Sequence, residues 1–204
     1  MPVRVCVVLL MCVLAPVPAL LPAGAQTSAL VRVGLLLAQD SVVIGADGPL
    51  EAADLDSGRR ETIEGGRLTV RAGSGGVEVG ANSFGGTVRL QPRAGFLSVN
   101  GRPYRGIVEI RRTASGRLTV INEVDLEAYL YGVIRSEMNP GWPPETLRAQ
   151  AIAARSLAVY STGRFAAEGY DVRATTESQV YGGVAAEDPR TSAAVDATRG
   201  VVLL

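Results

Sequence analysis

Arg117-Leu118-Thr119-Val120-Ile121-Asn122-Glu123-Val124-Asp125-Leu126-Glu127-Ala128-Tyr129-Leu130-Tyr131-Gly132-Val133-Ile134 decides the architecture, because the period of its apolar residues changes partway along. Up to Ile121 polar and β-branched residues alternate, the pattern of a strand with one face on a core. After Asn122 the apolar residues recur at Leu126, Tyr129, Leu130, Val133 and Ile134, spaced i, i+3, i+4, i+7 and i+8 as on one face of a helix. Asp125 is placed to cap that helix, its carboxylate accepting from free first-turn N–H groups. The helix is expected to end near Glu137-Met138, because Asn139-Pro140-Gly141-Trp142-Pro143-Pro144 cannot continue it.

Towards the amino terminus, from about Val31 to Ile121, the pattern is β throughout. Arg67-Leu68-Thr69-Val70-Arg71, Thr87-Val88-Arg89-Leu90 and Ile107-Val108-Glu109-Ile110 alternate as strands do. Gly65-Gly66, Gly73-Ser74-Gly75-Gly76, Gly85-Gly86 and Ala114-Ser115-Gly116 separate them as turns, the last being the best hairpin candidate. A phosphate-loop reading of these glycines is rejected: no GK[ST] follows them and none stands at a strand-to-helix junction. Towards the carboxyl terminus, a second helix is expected from Pro144, a good first-turn residue, through Leu147, Ala151, Ala154 and Ala158 to about Ala167, with Gly169 stopping it. Its alanines permit close approach to a neighbour. A further β-rich stretch is expected from about Tyr170. The fold class is therefore α+β: a glycine-rich antiparallel β region, a two-helix segment, then further strands.

Before all this stands a segment with a different purpose. Arg4 precedes an apolar run from Val5 to Leu21, broken by Pro16 and Pro18 and ending in the small-x-small pattern Ala23-Gly24-Ala25. That is the form of a secretory signal peptide cleaved after Ala25. An uncleaved membrane anchor is the alternative reading, weakened by the two prolines and by a length barely enough to span. The expected division is a signal peptide over 1–25, a β-rich part over 26–121 and an α-containing core over 122–204. The product is expected to be exported, outside the cytoplasm or associated with the membrane.

Composition removes whole classes of chemistry. Cys6 and Cys12 both lie in the leader, so the mature chain has no disulfide and no thiolate. Histidine is absent from all 204 residues, which excludes serine triads with an imidazole base and His-ligated zinc. No metal and no cofactor are expected. All 20 basic residues are arginine and balance 20 acidic ones, so no basic footprint points to nucleic acid. Carboxylates, hydroxyls, amides and arginines remain.

Among these, Glu137 is singled out, because it stands where a helix meets a Pro/Gly/Trp loop and its carboxyl can face a cleft. Arg148 and Arg155 are seven apart on the second helix and share a face, with Gln150 on another side. An arginine near the carboxyl would keep it ionised, whereas burial would keep it protonated. The alternative is that Glu137 caps or pairs locally and both arginines are surface residues. Trp142 suits either stacking on a ligand face or packing among its prolines.

The run Asn122–Ile134 followed by Ser136-Glu137-Met138 resembles the start of the SpoIID/LytB domain. Trp142-Pro143-Pro144-Glu145-Thr146-Leu147-Arg148-Ala149-Gln150-Ala151-Ile152-Ala153-Ala154-Arg155-Ser156 resembles that family's most recognisable helix. Gln179-Val180-Tyr181-Gly182-Gly183, Thr198-Arg199-Gly200, Val31-Arg32-Val33-Gly34-Leu35 and Tyr104-Arg105-Gly106 resemble further family elements, in one order along nearly the whole mature chain.

The resemblance implies a peptidoglycan lytic transglycosylase acting on glycan strands, in cell-wall remodelling or sporulation, with Glu137 as the one catalytic acid/base. It implies substrate-binding roles for Arg148 (often lysine in the family), Gln150, Arg155, Gln179 and Tyr181. The LytB branch implies the alternative: a non-catalytic amidase enhancer or glycan-binding wall protein working with other cell-wall hydrolases. Some family members carry a zinc site of His and Cys, for which this chain lacks the ligands. The family also continues past the point where Val201-Val202-Leu203-Leu204 closes this sequence in a β-like run, so a truncated domain is expected.

Overall fold

In the computed structural model, which describes residues 29–203, period-two patterning gives twelve strands before the first helix. They are β1 (Leu30–Gln39), β2 (Ser41–Ala46), β3 (Leu50–Asp54), β4 (Arg60–Ile63), β5 (Gly66–Ala72) and β6 (Val77–Val79), followed by β7 (Asn82–Phe84), β8 (Thr87–Pro92), β9 (Leu97–Val99), β10 (Arg102–Tyr104), β11 (Ile107–Arg112) and β12 (Leu118–Asp125). A two-residue strand, β13 (Val172–Arg173), comes later. The expected leader over 1–25 lies outside the described residues. No helix among the described residues is long and apolar enough to cross a membrane.

Two sheets result. One has the order β13-β1-β12-β11-β8-β3-β4, antiparallel except for the β1–β13 pair; the other, β10-β9-β2-β5-β6-β7, is antiparallel throughout. Alternate residues of both sheets, among them Ile44, Val70, Val79, Val88, Leu90, Val108, Ile110 and Val120, enter one apolar core. Pleating puts every second residue inside, so a slip of one residue would expose the whole set. The expected hairpin at 114–116 joins β11 to β12, with the Thr113 N–H donating to the Arg117 carbonyl at 2.7 Å and Gly116 at φ +74°.

The strand-to-helix switch falls where the period changes. α1 (Leu126–Glu137) starts directly from β12, and Asp125 Oδ1 accepts from the N–H groups of Glu127 (2.9 Å) and Ala128 (3.0 Å). α2 (Pro144–Tyr160) is shorter than expected. Ser161 ends it and Gly163 takes the left-handed conformation at φ +76°, donating its N–H to Asp171 Oδ1 at 2.7 Å. The chain therefore turns six residues before Gly169, and residues 166–168 form a separate 3-10 turn.

Past Tyr170 the structure departs from a β-rich expectation. Apart from β13, the stretch forms a 3-10 turn over 183–186 and a third helix, α3 (Pro189–Ala197). Asp188 caps α3 by accepting from the Arg190 N–H at 2.9 Å, and Pro189 sits in its first turn. Nor do residues 201–203 form a strand; they lie against α2, where the Leu203 N–H donates to Ser156 Oγ at 2.8 Å. The α+β class holds, with three helices where two were expected.

α1 packs between α2, α3 and the 183–186 turn. Gly132 makes this possible: a Cβ there would lie 2.6 Å from the Tyr181 ring, too close for any side chain. Tyr181 in turn stacks against Tyr129 of α1 (5.0 Å between centroids) and Tyr104 of β10 (5.7 Å). Three aromatic rings thus tie the β half to the helices, geometry worth about 0.5–1.5 kcal/mol per pair beyond burial.

Candidate active site

Glu137 is the last residue of α1 and is exposed. Met138 leaves the helix in extended conformation (φ −145°), and the loop beyond is held by Asn139, whose Oδ1 accepts from the Gly141 N–H (2.8 Å) and whose carbonyl accepts from the Trp142 N–H (3.1 Å). The carboxylate thus projects from a fixed helix end. Gln150 of α2 donates its Nε2–H to Glu137 Oε2 at 2.7 Å, so the two helices meet at this contact. A neutral amide donor orients a carboxyl without supplying a full positive charge.

Tyr129, two helical turns back, is fully buried. Its hydroxyl donates to Gln179 Oε1 at 3.2 Å, and Gln179 Nε2 donates to the Ala154 carbonyl of α2 at 3.4 Å. Burial first, then the nearby Glu137 charge, hold the Tyr129 phenol well above its ordinary value, so its proton stays in place. Tyr129, Gln179 and the Ala154 carbonyl thus form a buried polar line between α1 and α2, separate from the Gln150–Glu137 contact at the helix end. Composition left acid/base chemistry to carboxylates, and here one carboxylate is oriented, exposed and without an arginine partner.

The other expected site residues separate into two groups. Arg148 stays near the surface and pairs with Glu145 at 2.5 Å; it lines a cavity of about 220 Å³ between α2 and α3 with Leu147, Arg190 and Ala194, where Glu137 takes no part. Arg155, Gln179 and Tyr181 are buried at 0%, 2% and 2% exposure, and their side chains hold the helices and the β half together. Arg155 makes a bidentate ion pair with Glu127 (Nε–Oε1 2.9 Å, Nη2–Oε2 2.7 Å) and also donates to the Val195 (3.2 Å) and Val201 (3.0 Å) carbonyls. It thereby clamps α1, α2, α3 and the last described residues together. Tyr181 donates to Asn122 Oδ1 at 3.0 Å, and burial, its largest influence, holds its phenol far above the ordinary value. Trp142 is 49% exposed, so about half of its indole surface faces solvent.

Two residues escape sequence reasoning. Tyr129 reads as a core position because its spacing is that of the buried face, yet its hydroxyl belongs to the polar line. Glu127 reads as a first-turn acid, yet it is the partner of Arg155. Only the second left a trace in sequence, since a buried arginine requires an acidic partner.

Fold and site together define, over the described residues, a two-sheet, three-helix protein with an exposed, amide-bonded carboxylate at the carboxyl end of its first helix. Residues 114–204 match the SpoIID family, described as Stage II sporulation protein. An amidase enhancer of Bacillus subtilis (strain 168) is 32% identical over 146 residues, covering 69% of this chain and 20% of that protein. An uncharacterized protein of Brachyspira hyodysenteriae is 37% identical over 123 residues, covering 60% of this chain and 32% of its own. No solved structure matches the chain. Residues 114–204 therefore carry the domain of the SpoIID/LytB family, in a chain that spans about a third and a fifth of these two curated relatives.

Proposed function

We propose that the protein is an exported cell-wall protein that cleaves peptidoglycan glycan strands as a lytic transglycosylase, with Glu137 as its one acid/base. The carrying observation is the pairing of Glu137 with Gln150 at the exposed end of α1, 2.7 Å apart, with no ion pair to an arginine among the described residues. In this reaction protonated Glu137 gives its proton to the glycosidic oxygen as the C1–O bond breaks. The carboxylate so formed takes the proton of the sugar's own 6-hydroxyl as that oxygen bonds to C1. One fragment leaves with a new 4-hydroxyl, the other as a 1,6-anhydro sugar, and the glutamic acid is regenerated. No second carboxylate is needed, unlike the two-carboxylate glycosidases. Gln150 orients the carboxyl, and the Trp142 face and Arg148 are available to the glycan.

A second reading has its own support. The Bacillus subtilis relative bears the name amidase enhancer, and burial of Arg155, Gln179 and Tyr181 leaves Glu137 few polar companions. On this reading the chain binds wall material and helps an amidase without cutting glycan. Mass spectrometry of purified glycan strands after incubation separates the two. Anhydro-ended fragments, one water lighter than hydrolysis products, are expected; intact strands together with faster release of stem peptides by an added amidase would establish the enhancer instead.

A further inference from the structure

The pleat and register of the seven-stranded sheet put one row of side chains on the face turned away from the core. Arg60 is paired with Ala53, Ala53 with Arg89, Arg89 with Glu109, Glu109 with Ile121 and Ile121 with Gly34, crossing β4, β3, β8, β11, β12 and β1. Paired residues lie on the same face of a sheet. Two cavities open along this row, one of about 510 Å³ over β4, β3 and β8 and one of about 310 Å³ running on towards Tyr170. Arg89 and Leu55 line both, so they form one trough, closed at the far end by Gly169 and Tyr170.

Its arginines are held in place but not used up. Glu109, 1% exposed, accepts from Arg32 (2.8 Å), Arg89 (2.9 Å) and Arg111 (2.6 Å), and Glu123 accepts from Arg32 and Arg89 at 2.6 Å each. Burial pushes the Glu109 carboxyl up, but its bonds to Arg32 and Arg89 and their charges outweigh that, so it stays ionised. Arg89 spends Nε and Nη2 on these contacts and Arg111 spends Nε, which leaves the Arg89 Nη1 and both Arg111 terminal nitrogens without a partner among the described residues. Arg60, at the open end, has no ion pair among the described residues. Guanidinium groups fixed by buried carboxylates lose little side-chain freedom when a ligand arrives. Neighbouring strands lie about 4.8 Å apart, so Arg60 and Arg89, two strands apart, stand about 10 Å from one another. Between them Ala53 keeps the floor low, and the wall carries two acidic groups, Glu51, which meets Arg93 at 3.4 Å, and Glu61, which meets Arg59 at 3.7 Å.

We infer that this trough binds a short peptide carrying at least two free carboxylates and an ammonium group, with carboxylates on Arg60 and on Arg89/Arg111 and the ammonium at Glu51. This deepens the wall reading, on which it rests, because the stem peptides of peptidoglycan have that chemistry. The site would sense whether a strand still carries peptides, through residues separate from Glu137.

Isothermal titration of the protein with a synthetic stem peptide, and with the same peptide amidated at its carboxyls, tests this. Binding is expected for the free acid, weaker by at least about tenfold for the amide and weakened to a similar degree by Arg60→Ala, an exposed change that leaves the fold intact. Arg111→Met is expected to weaken binding as well, while Glu137→Gln binds like the unaltered protein. No binding, equal binding of acid and amide, or binding indifferent to both arginine variants would overturn the inference. Because the readout is binding of peptide alone, those results leave glycan cleavage by Glu137 untouched, and loss of cleavage leaves the peptide site standing.

Discussion

Glu127 and Glu137 stand at opposite ends of one helix and illustrate two uses of the same side chain. Glu127 is 6% exposed, bonded in bidentate fashion to a fully buried arginine, and also accepts from the Gly200 N–H at 3.2 Å. Glu137 is exposed and meets one neutral amide. A carboxylate bonded to a buried arginine is committed to holding that charge in the core, whereas one met by a neutral amide at the surface keeps free lone pairs for a ligand. The helix therefore carries one carboxylate committed to the fold and, at its other end, one open to solvent.

Breaking the enclosed end has the largest expected effect on stability. Arg155→Ala leaves Glu127 buried and unpaired, and unfolding by urea is expected to show a loss of about 3–5 kcal/mol; a change under about 1 kcal/mol would mean that the pair contributes nothing the core does not already supply. Next comes the packing that joins the two ends. Gly132→Ala drives a methyl group into Tyr181, with an expected loss of about 1–3 kcal/mol read as a lower Tm, and an unchanged Tm would show that the Tyr181 ring can move aside.

Acid provides a third contrast, this time with the sheet. Glu109 has its carboxyl below the ordinary 4.5 in the folded protein, so its stabilisation is complete above the unfolded value and is lost as pH falls through the folded one. Stability is expected to fall on acidification below about pH 4.5, and to fall less steeply in Glu109→Gln. Parallel slopes for the two proteins would contradict the arginine cluster as the source. Smallest of all is the expected effect of Glu137→Gln on stability, within about 0.5 kcal/mol because the side chain is exposed.

The change of period at Asn122 made the strand-to-helix junction legible from sequence, and the Asp125 cap and the 114–116 hairpin followed from single residues with one physical use each. The third helix was less visible. Its buried face consists of Thr191, Ala194, Val195 and Thr198, too weakly apolar to stand out, although Asp188-Pro189 is a cap-and-first-turn pair. The early end of α2 was concealed because Gly163 and Gly169 are equally good stops, and only the contact from Gly163 to Asp171 decides between them.

At the site, Glu137 and Gln150 were both singled out from sequence, but helical spacing put Arg148 and Arg155 on one face without revealing that one lies under a neighbouring helix and the other does not. Burial depends on what packs against a face, and no periodicity within one helix contains that.

The most direct test of Glu137 as the acid/base is the rate at which purified glycan strands gain 1,6-anhydro ends with the unaltered protein and with Glu137→Gln. The expected result is a loss of about 10²–10⁴-fold or more with glycan binding retained, whereas equal rates in the two proteins would contradict it.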